Sequence, residues 1–149
     1  MAATLRLEVV TPERMLIKEQ VLAVTVPGLD GELGVLPEHA PLLSELGCGA
    51  LTFTLESGQK KCLSICGGYL EVLPDRVRVL AQLAEFSDEI DVKRAEGALH
   101  RASERVLHPT ADVDVARALN AMKRAQARLN AAKAAPSNYR GMPGPGLNQ

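Results

Sequence analysis

From Thr4 to Phe86 the chain alternates apolar and polar positions in short runs, as in Leu5-Arg6-Leu7-Glu8-Val9, Leu51-Thr52-Phe53-Thr54-Leu55 and Arg76-Val77-Arg78-Val79-Leu80. Turn formers punctuate the runs: Pro27-Gly28-Leu29-Asp30-Gly31, Ser57-Gly58, Gly67-Gly68 and Pro74-Asp75. A period of two gives each strand one buried face, and many such strands at short spacing predict an antiparallel sandwich or barrel. No helical segment separates the runs, which argues against a parallel fold, whose strands need crossover connections.

At Ser87-Asp88-Glu89-Ile90 the period becomes helical. Ser87 or Asp88 is expected to cap a helix here, with Asp88, Glu89 and Asp91 placing negative charge at its positive end. Ala95, Ala98, Leu99, Ala102 and Val106 form an apolar stripe, which Pro109 should end by removing a backbone donor and disfavouring helical geometry at His108. Thr110 or Asp112 then caps a second predicted helix running to about Ala135, with Ala118, Leu119, Met122, Ala125 and Leu129 as its stripe. So short a connection favours an antiparallel hairpin. The predicted organisation is a sandwich over 1–87, a helical hairpin over 88–135 and a Pro/Gly-rich tail over 136–149 with too little apolar content to order itself.

The two helices repeat one another at an offset of about 23 residues. Ile90-Asp91-Val92-Lys93-Arg94-Ala95 is echoed by Val113-Asp114-Val115-Ala116-Arg117-Ala118, and Ala98-Leu99-His100-Arg101-Ala102 with Arg105 by Ala121-Met122-Lys123-Arg124-Ala125 with Arg128. Each helix therefore carries arginines at i, i+7 and i+11, within about 20° of one line at 3.6 residues per turn. Such stripes are commonly solvated faces with local ion pairs, and Arg94 and Arg117 fit that description because Asp91 and Asp114 lie three residues before them. Arg105, Arg124 and Arg128 have no carboxylate three or four residues away. Guanidinium groups converging from facing helices repel unless an anion lies between them, and the planar fork suits phosphate. No P-loop is present to name the anion.

Composition narrows the classes. The 149 residues carry a formal net charge of -1 with 46% hydrophobic and 3% aromatic residues, which offers a nucleic acid neither a basic footprint nor stacking platforms. The three histidines, His39, His100 and His108, fall in a loop, on a basic helix face and in a turn, and no serine or cysteine sits in a nucleophile setting, so no catalytic constellation emerges. No apolar run approaches the roughly 18 to 20 residues that span a bilayer, and the start lacks a leader pattern, so the chain is expected to stay on the side of the membrane where it is made. Cys62 and Cys66 stand about 13 Å apart along one strand, too far for a disulfide, and no histidine lies at ligand spacing from Cys48, Cys62 or Cys66. Buried free thiols in a reducing compartment are expected, with no metal.

The stretch from Val26-Pro27-Gly28-Leu29-Asp30-Gly31-Glu32 through Gly34-Val35-Leu36-Pro37-Glu38-His39-Ala40-Pro41 to Leu43 resembles the signature loop region of ATP synthase epsilon subunits. Gly67-Gly68-Tyr69-Leu70-Glu71-Val72, Val79-Leu80-Ala81 with Glu85, and Ile90-Asp91-Val92-Lys93-Arg94-Ala95 extend the likeness, in order, over about residues 1 to 135. The resemblance implies a β-sandwich of about ten antiparallel strands followed by a helical hairpin, in a non-catalytic subunit of the central rotor stalk of a proton-translocating synthase. It implies contacts with the gamma subunit, to which His39 would turn, and with the membrane ring of c subunits, to which Glu32 would turn. A place on the cytoplasmic face of the inner membrane follows, and an extended arm would meet the alpha and beta subunits of the catalytic head and inhibit hydrolysis. No cofactor is required, but ATP is implied as a regulatory ligand of the folded hairpin at positions matching Glu85, Ile90, Asp91, Arg94, Ala95, Arg101, Arg124 and Arg128. Arg101, Arg124 and Arg128 would receive phosphates, and Ile90 and Ala95 would offer a small apolar surface to a base. Asp91 serves equally well as a helix-end charge and Glu85 as a strand-end charge. A stand-alone ATP sensor is the nearest rival.

Overall fold

We describe residues 3–134 of the chain from a computed structural model. Seven strands come first: β1 (Leu5–Val10), β2 (Met15–Gly28), β3 (Gly31–Val35), β4 (Leu42–Glu45), β5 (Cys48–Leu55), β6 (Lys60–Leu73) and β7 (Arg76–Phe86). Two helices follow, α1 (Val92–Leu107) and α2 (Val115–Ala134). The strand order is β1-β7-β6-β5-β2-β3, and β1 also pairs with β2, so the sheet folds back on itself and closes around one core. That core gathers Leu5, Leu7, Val9, Val24, Val26, Leu51, Phe53, Leu63, Ile65, Leu70, Val77 and Val79 from alternate positions of facing strands.

Seven strands suffice where about ten were expected because two are long enough to serve twice. The first part of β2 pairs with β1 and the rest with β5 and β3, while β6 pairs first with β5 and then, past Gly67 and Gly68, with β4. At φ 74° and 112° these two glycines hold conformations that side chains disfavour, and a Cβ on Gly68 would collide with the Leu80 carbonyl oxygen. Across this point the pairing with β7 keeps one alignment, Cys66 facing Leu83 and Gly68 facing Ala81, while the partner on the other edge of β6 changes from β5 to β4. Of the strand pairings among the described residues only β1 with β7 is parallel, a departure from the wholly antiparallel expectation. The entire sandwich lies between these two strands in sequence, so they meet without a short hairpin. In that register Glu8 faces Arg78, whose Nε donates to Glu8 Oε2 at 3.0 Å. The bond, reinforced by the positive charges of Arg78 and Arg6, holds the Glu8 carboxyl below its ordinary pKa although burial opposes this.

The helix caps fall later than the sequence suggested. Ser87–Glu89 form a 3-10 turn, and Asp91 rather than Ser87 or Asp88 accepts from the Arg94 backbone N–H at 3.1 Å to start α1. Likewise Asp114, not Thr110 or Asp112, accepts from the Arg117 N–H at 3.1 Å at the head of α2. The internal repeat already contained this answer, since Asp91-Arg94 and Asp114-Arg117 occupy the same place in each copy. Helix α1 ends at Leu107, before Pro109, as expected. The 136–149 tail lies outside the described residues.

Candidate functional site between the arm and the sandwich

The arm lies on the outer face of the β5–β6 hairpin, where α2 packs against both strands. Strand periodicity sets this surface. Leu51, Phe53, Leu63 and Ile65 enter the sandwich core, so Ala50, Cys62, Ser64 and Cys66 are left facing the helices. The apolar seat is small: Cys62, Ile90 and Ala131 are buried together, with Ala50 and Ala132 against them. Burial raises the Cys62 thiol to about 11, so it stays protonated and unreactive near neutrality. Beside it, burial pushes the Lys61 ammonium below its ordinary pKa, opposed by the negative charge of Asp88.

The predicted stripes are partly recovered. Ala95 and Ala102 of α1 and Ala118, Ala125 and Leu129 of α2 are buried, as the spacing requires. Ala127 and Ala131 are buried too, although they lie off the stripe, while Leu119 on the stripe remains exposed. The reason is that α2 has two neighbours, α1 on one side and the sheet on another, so its buried surface is wider than one seam.

Next to this seat is a cavity of about 410 Å³ between sandwich and arm. Its floor is Ser64, Cys66, Leu83, Ala84 and Glu85, and its roof is formed by Ala98 of α1 with Ala121, Arg124, Ala125 and Arg128 of α2. Arg128 reaches across to Glu85 in a two-point contact, Nε donating to Oε2 at 2.8 Å and an Nη to Oε1 at 3.2 Å. An arginine without a carboxylate on its own helix thus finds one 43 residues away. A second, more open space of about 550 Å³ lies at the hairpin end between Arg105, Asp112, Asp114, Arg117 and Arg124. Arg124 borders both spaces.

Of the eight residues singled out for nucleotide, the fold therefore brings Glu85, Arg124 and Arg128 to one cavity. The others are not among its lining residues. Asp91 is engaged as the α1 cap, Arg94 and Arg101 are exposed on α1, Arg101 lying along its own helix beside Gly97, and Ile90 and Ala95 are buried in packing. Ser64, Cys66, Leu83, Ala84, Ala98, Ala121 and Ala125 line the cavity without having been singled out for nucleotide.

The cysteine expectation is corrected. Cys48 and Cys66 are joined by a disulfide, and only Cys62 is a buried free thiol. Separation along one strand keeps Cys62 from Cys66, whereas Cys48 and Cys66 face each other across the β5–β6 ladder.

Glu32 is exposed at the start of β3, beside the Leu29-Asp30 turn, and His39 Nδ1 lies 2.7 Å from the Ala40 carbonyl oxygen. Around them Leu29, Leu36 and Leu43 are each more than half exposed, as are Tyr69 and Leu83 elsewhere on the sandwich. Among the described residues no helix is long and apolar enough to cross a membrane, and no cluster of His, Cys, Asp and Glu could hold a metal ion.

Comparison with known proteins accounts for both modules. The family model for the beta-sandwich domain of the ATP synthase Delta/Epsilon chain matches residues 4–87, and that for its long alpha-helix domain matches 88–133. The ATP synthase epsilon chain of Solibacter usitatus is 55% identical over 129 residues, covering 87% of this chain and 96% of its own. That of Moorella thermoacetica is 46% identical over 132 residues, covering 89% and 98%. Among solved structures, a chain of the Euglena gracilis mitochondrial ATP synthase assembly of OSCP, F1 and c-ring superposes with a TM-score of 0.75 at 26% identity, over 83% of this chain and 78% of that one. A chain from the central stalk and c-ring of the Tetrahymena thermophila enzyme shares the fold, with a TM-score of 0.53 at 15% identity, over 88% and 95%. With a sandwich and a helical arm in the family's order over almost the whole described chain, this protein belongs to the epsilon-chain family of ATP synthases.

Proposed function

We propose that this chain is a non-catalytic subunit of the central rotor stalk, coupling proton-driven rotation to ATP synthesis, with an arm that responds to nucleotide. The observation that carries the reading is the division of labour within one family chain: a closed sandwich fit to transmit torque, and an arm seated on it through small side chains. The exposed leucines around Glu32 and His39 favour the loop region as the surface for the c ring and gamma. The protein is then peripheral to the inner membrane on its cytoplasmic face. When the arm lifts, it contacts the alpha and beta subunits and opposes hydrolysis.

ATP is the proposed regulatory ligand. Arg124 and Arg128 would meet its phosphates in the cavity between arm and sandwich, and the Arg128–Glu85 pair would open to admit them. Arg101, Arg94, Ile90, Asp91 and Ala95 do not line the cavity and would join through reorientation of their side chains or of the hairpin. Ligand that binds the docked arm and not the lifted one shifts the population toward docking. Titration calorimetry of the whole chain with ATP should give saturable binding that Arg124→Ala and Arg128→Ala each weaken about tenfold or more. Binding indifferent to both changes would remove the nucleotide part. Restoration of proton-driven synthesis on adding the chain to a synthase stripped of its own epsilon tests the rotor role, and failure to associate with gamma would favour the stand-alone sensor.

A further inference from the structure

The cross-strand cysteine pair lies under the arm. Cys48 is directly opposite Cys66 in the β5–β6 register, and the Gly67 N–H donates to the Gly47 carbonyl oxygen at 3.1 Å. A bond between the residues flanking a facing pair places that pair at a non-hydrogen-bonded site of the ladder, where the two backbones come closest and the side chains lie side by side. Both residues follow the strand alternation of the arm-facing side: Cys48 shares it with Ala50, and Cys66 with Cys62 and Ser64. Cys48 is exposed, whereas Cys66 is half-buried and forms part of the cavity floor beneath Ala121, Arg124 and Ala125 of α2. One sulfur is thus open to solvent reagents and the other adjoins the surface on which the arm rests.

We propose that Cys48 and Cys66 form a reversible dithiol–disulfide couple that regulates docking of the helical arm, with the disulfide favouring the docked arm. Two thiols need more room than a bonded pair, because sulfurs that share no bond must stand apart at van der Waals distance. The added volume falls on the cavity floor beneath Ala121, Arg124 and Ala125 of α2, on the surface that the docked arm covers. The docked arm and the joined pair occur together in this structure. The large sandwich core lies on the opposite face of the same strands and need not respond.

The chemistry uses a small-molecule disulfide such as glutathione disulfide. The Cys48 thiolate attacks one of its sulfurs, forming a mixed disulfide and expelling one glutathione thiolate. The Cys66 thiolate then attacks the Cys48 sulfur, forming the intramolecular bond and expelling the second. Two electrons pass from the cysteines to the reagent, and the two thiol protons end on the two released glutathiones. Glutathione reverses both steps. Cys62 takes no part, being buried and on the same strand as Cys66 at a separation that forbids pairing.

The test uses the whole chain in glutathione buffers of graded ratio, quenched with acid, alkylated and weighed. Expected is a species that takes up two fewer alkyl groups than the reduced chain and whose Cys48 and Cys66 peptides are joined, formed and reversed without denaturant. A pair that remains reduced, stops at a glutathione adduct or can be reduced only after unfolding would overturn the proposal. Amide exchange is then followed on oxidised and reduced samples. Amides of α2 between Ala121 and Leu129 should exchange at least about threefold faster when the pair is reduced, with the core strands unchanged. Equal rates in α2 would refute the coupling. Cys48→Ser, at an exposed position, should abolish the dependence on redox buffer, and its persistence in that variant would also refute it. No nucleotide enters either measurement, so failure here is distinct from failure of ATP binding.

Discussion

The sandwich buries Phe53, Leu51, Leu63, Ile65 and fourteen other large side chains in one continuous core, whereas the arm meets the sandwich through Ala131, Ile90, Cys62 and the alanines beside them. Burial of a large aliphatic or aromatic side chain is worth roughly 1.5 to 3 kcal/mol, and an alanine methyl only a fraction of that. One part of the molecule is therefore locked by volume and the other is held by close approach of small groups. Such a contrast would let the arm detach without unfolding the sandwich.

The contrast can be broken most directly from the sandwich side. Phe53→Ala should cost about 3 to 5 kcal/mol of global stability by opening a cavity where the side chain is 2% exposed. Denaturant unfolding followed by circular dichroism measures it, and a loss under about 1 kcal/mol would mean that the core is not the locked element.

From the arm side the expected effect is smaller and local. Ala131→Glu places a carboxylate where the native methyl has no exposure, at a cost of about 2 to 3 kcal/mol if the arm stays docked. The arm can avoid that cost by lifting. The unfolding midpoint of the sandwich should move little, while α2 loses its exchange protection against the sheet. If Ala131→Glu lowered global stability as much as Phe53→Ala, the two modules would form one cooperative unit and the comparison would fail.

The same contrast governs what the sequence made readable. A strand's burial depends on its own alternation, so Leu5, Leu7, Val9, Leu51, Phe53, Val77 and Val79 were assignable to the core from spacing alone. The caps at Asp91 and Asp114 were hidden by rival cap formers nearby, since Ser87, Asp88, Thr110 and Asp112 have equal chemistry and only the backbone path chooses among them. The site was less legible because it lies between modules. Arg128 meets Glu85 across 43 residues and Cys48 meets Cys66 across a hairpin, contacts set by strand register and helix docking rather than by local spacing. The repeat did locate Arg124 and Arg128 together, since residues four apart share a helix face. It could not show that Arg94 and Arg101 would fall outside the cavity lining.

An intermediate effect belongs to the seam between β1 and β7. Glu8, 7% exposed, accepts from Arg78, and Glu8→Gln should cost about 1 kcal/mol, the partner's exposure to solvent limiting the loss. Because the folded state lowers the Glu8 pKa, its contribution is present above the unfolded value near 4.5 and is lost as pH falls through the lower folded value. Wild-type stability should therefore decline below about pH 4.5, and Glu8→Gln should flatten part of that decline. Unfolding curves at pH 3.5 to 7 would check this; parallel slopes for both chains would assign acid sensitivity to other groups.

The smallest expected effect tests whether the arm is held by charge instead of packing. Arg128 and Glu85 make a bidentate contact, but their side chains are 31% and 29% exposed, which leaves water and salt able to compete for both. Arg128→Ala should therefore weaken docking by only about 0.5 to 1 kcal/mol in the absence of nucleotide, and added salt should reduce even that difference. A double-mutant cycle with Glu85→Gln, read by exchange protection in α2, isolates the pair from the stem contacts that the arginine also makes. Coupling above about 2 kcal/mol would make the ion pair the latch and the alanine seat secondary. Weak coupling leaves Arg128 cheaply separable from Glu85, which is the condition for an anion entering the cavity to take the guanidinium without first dismantling the fold.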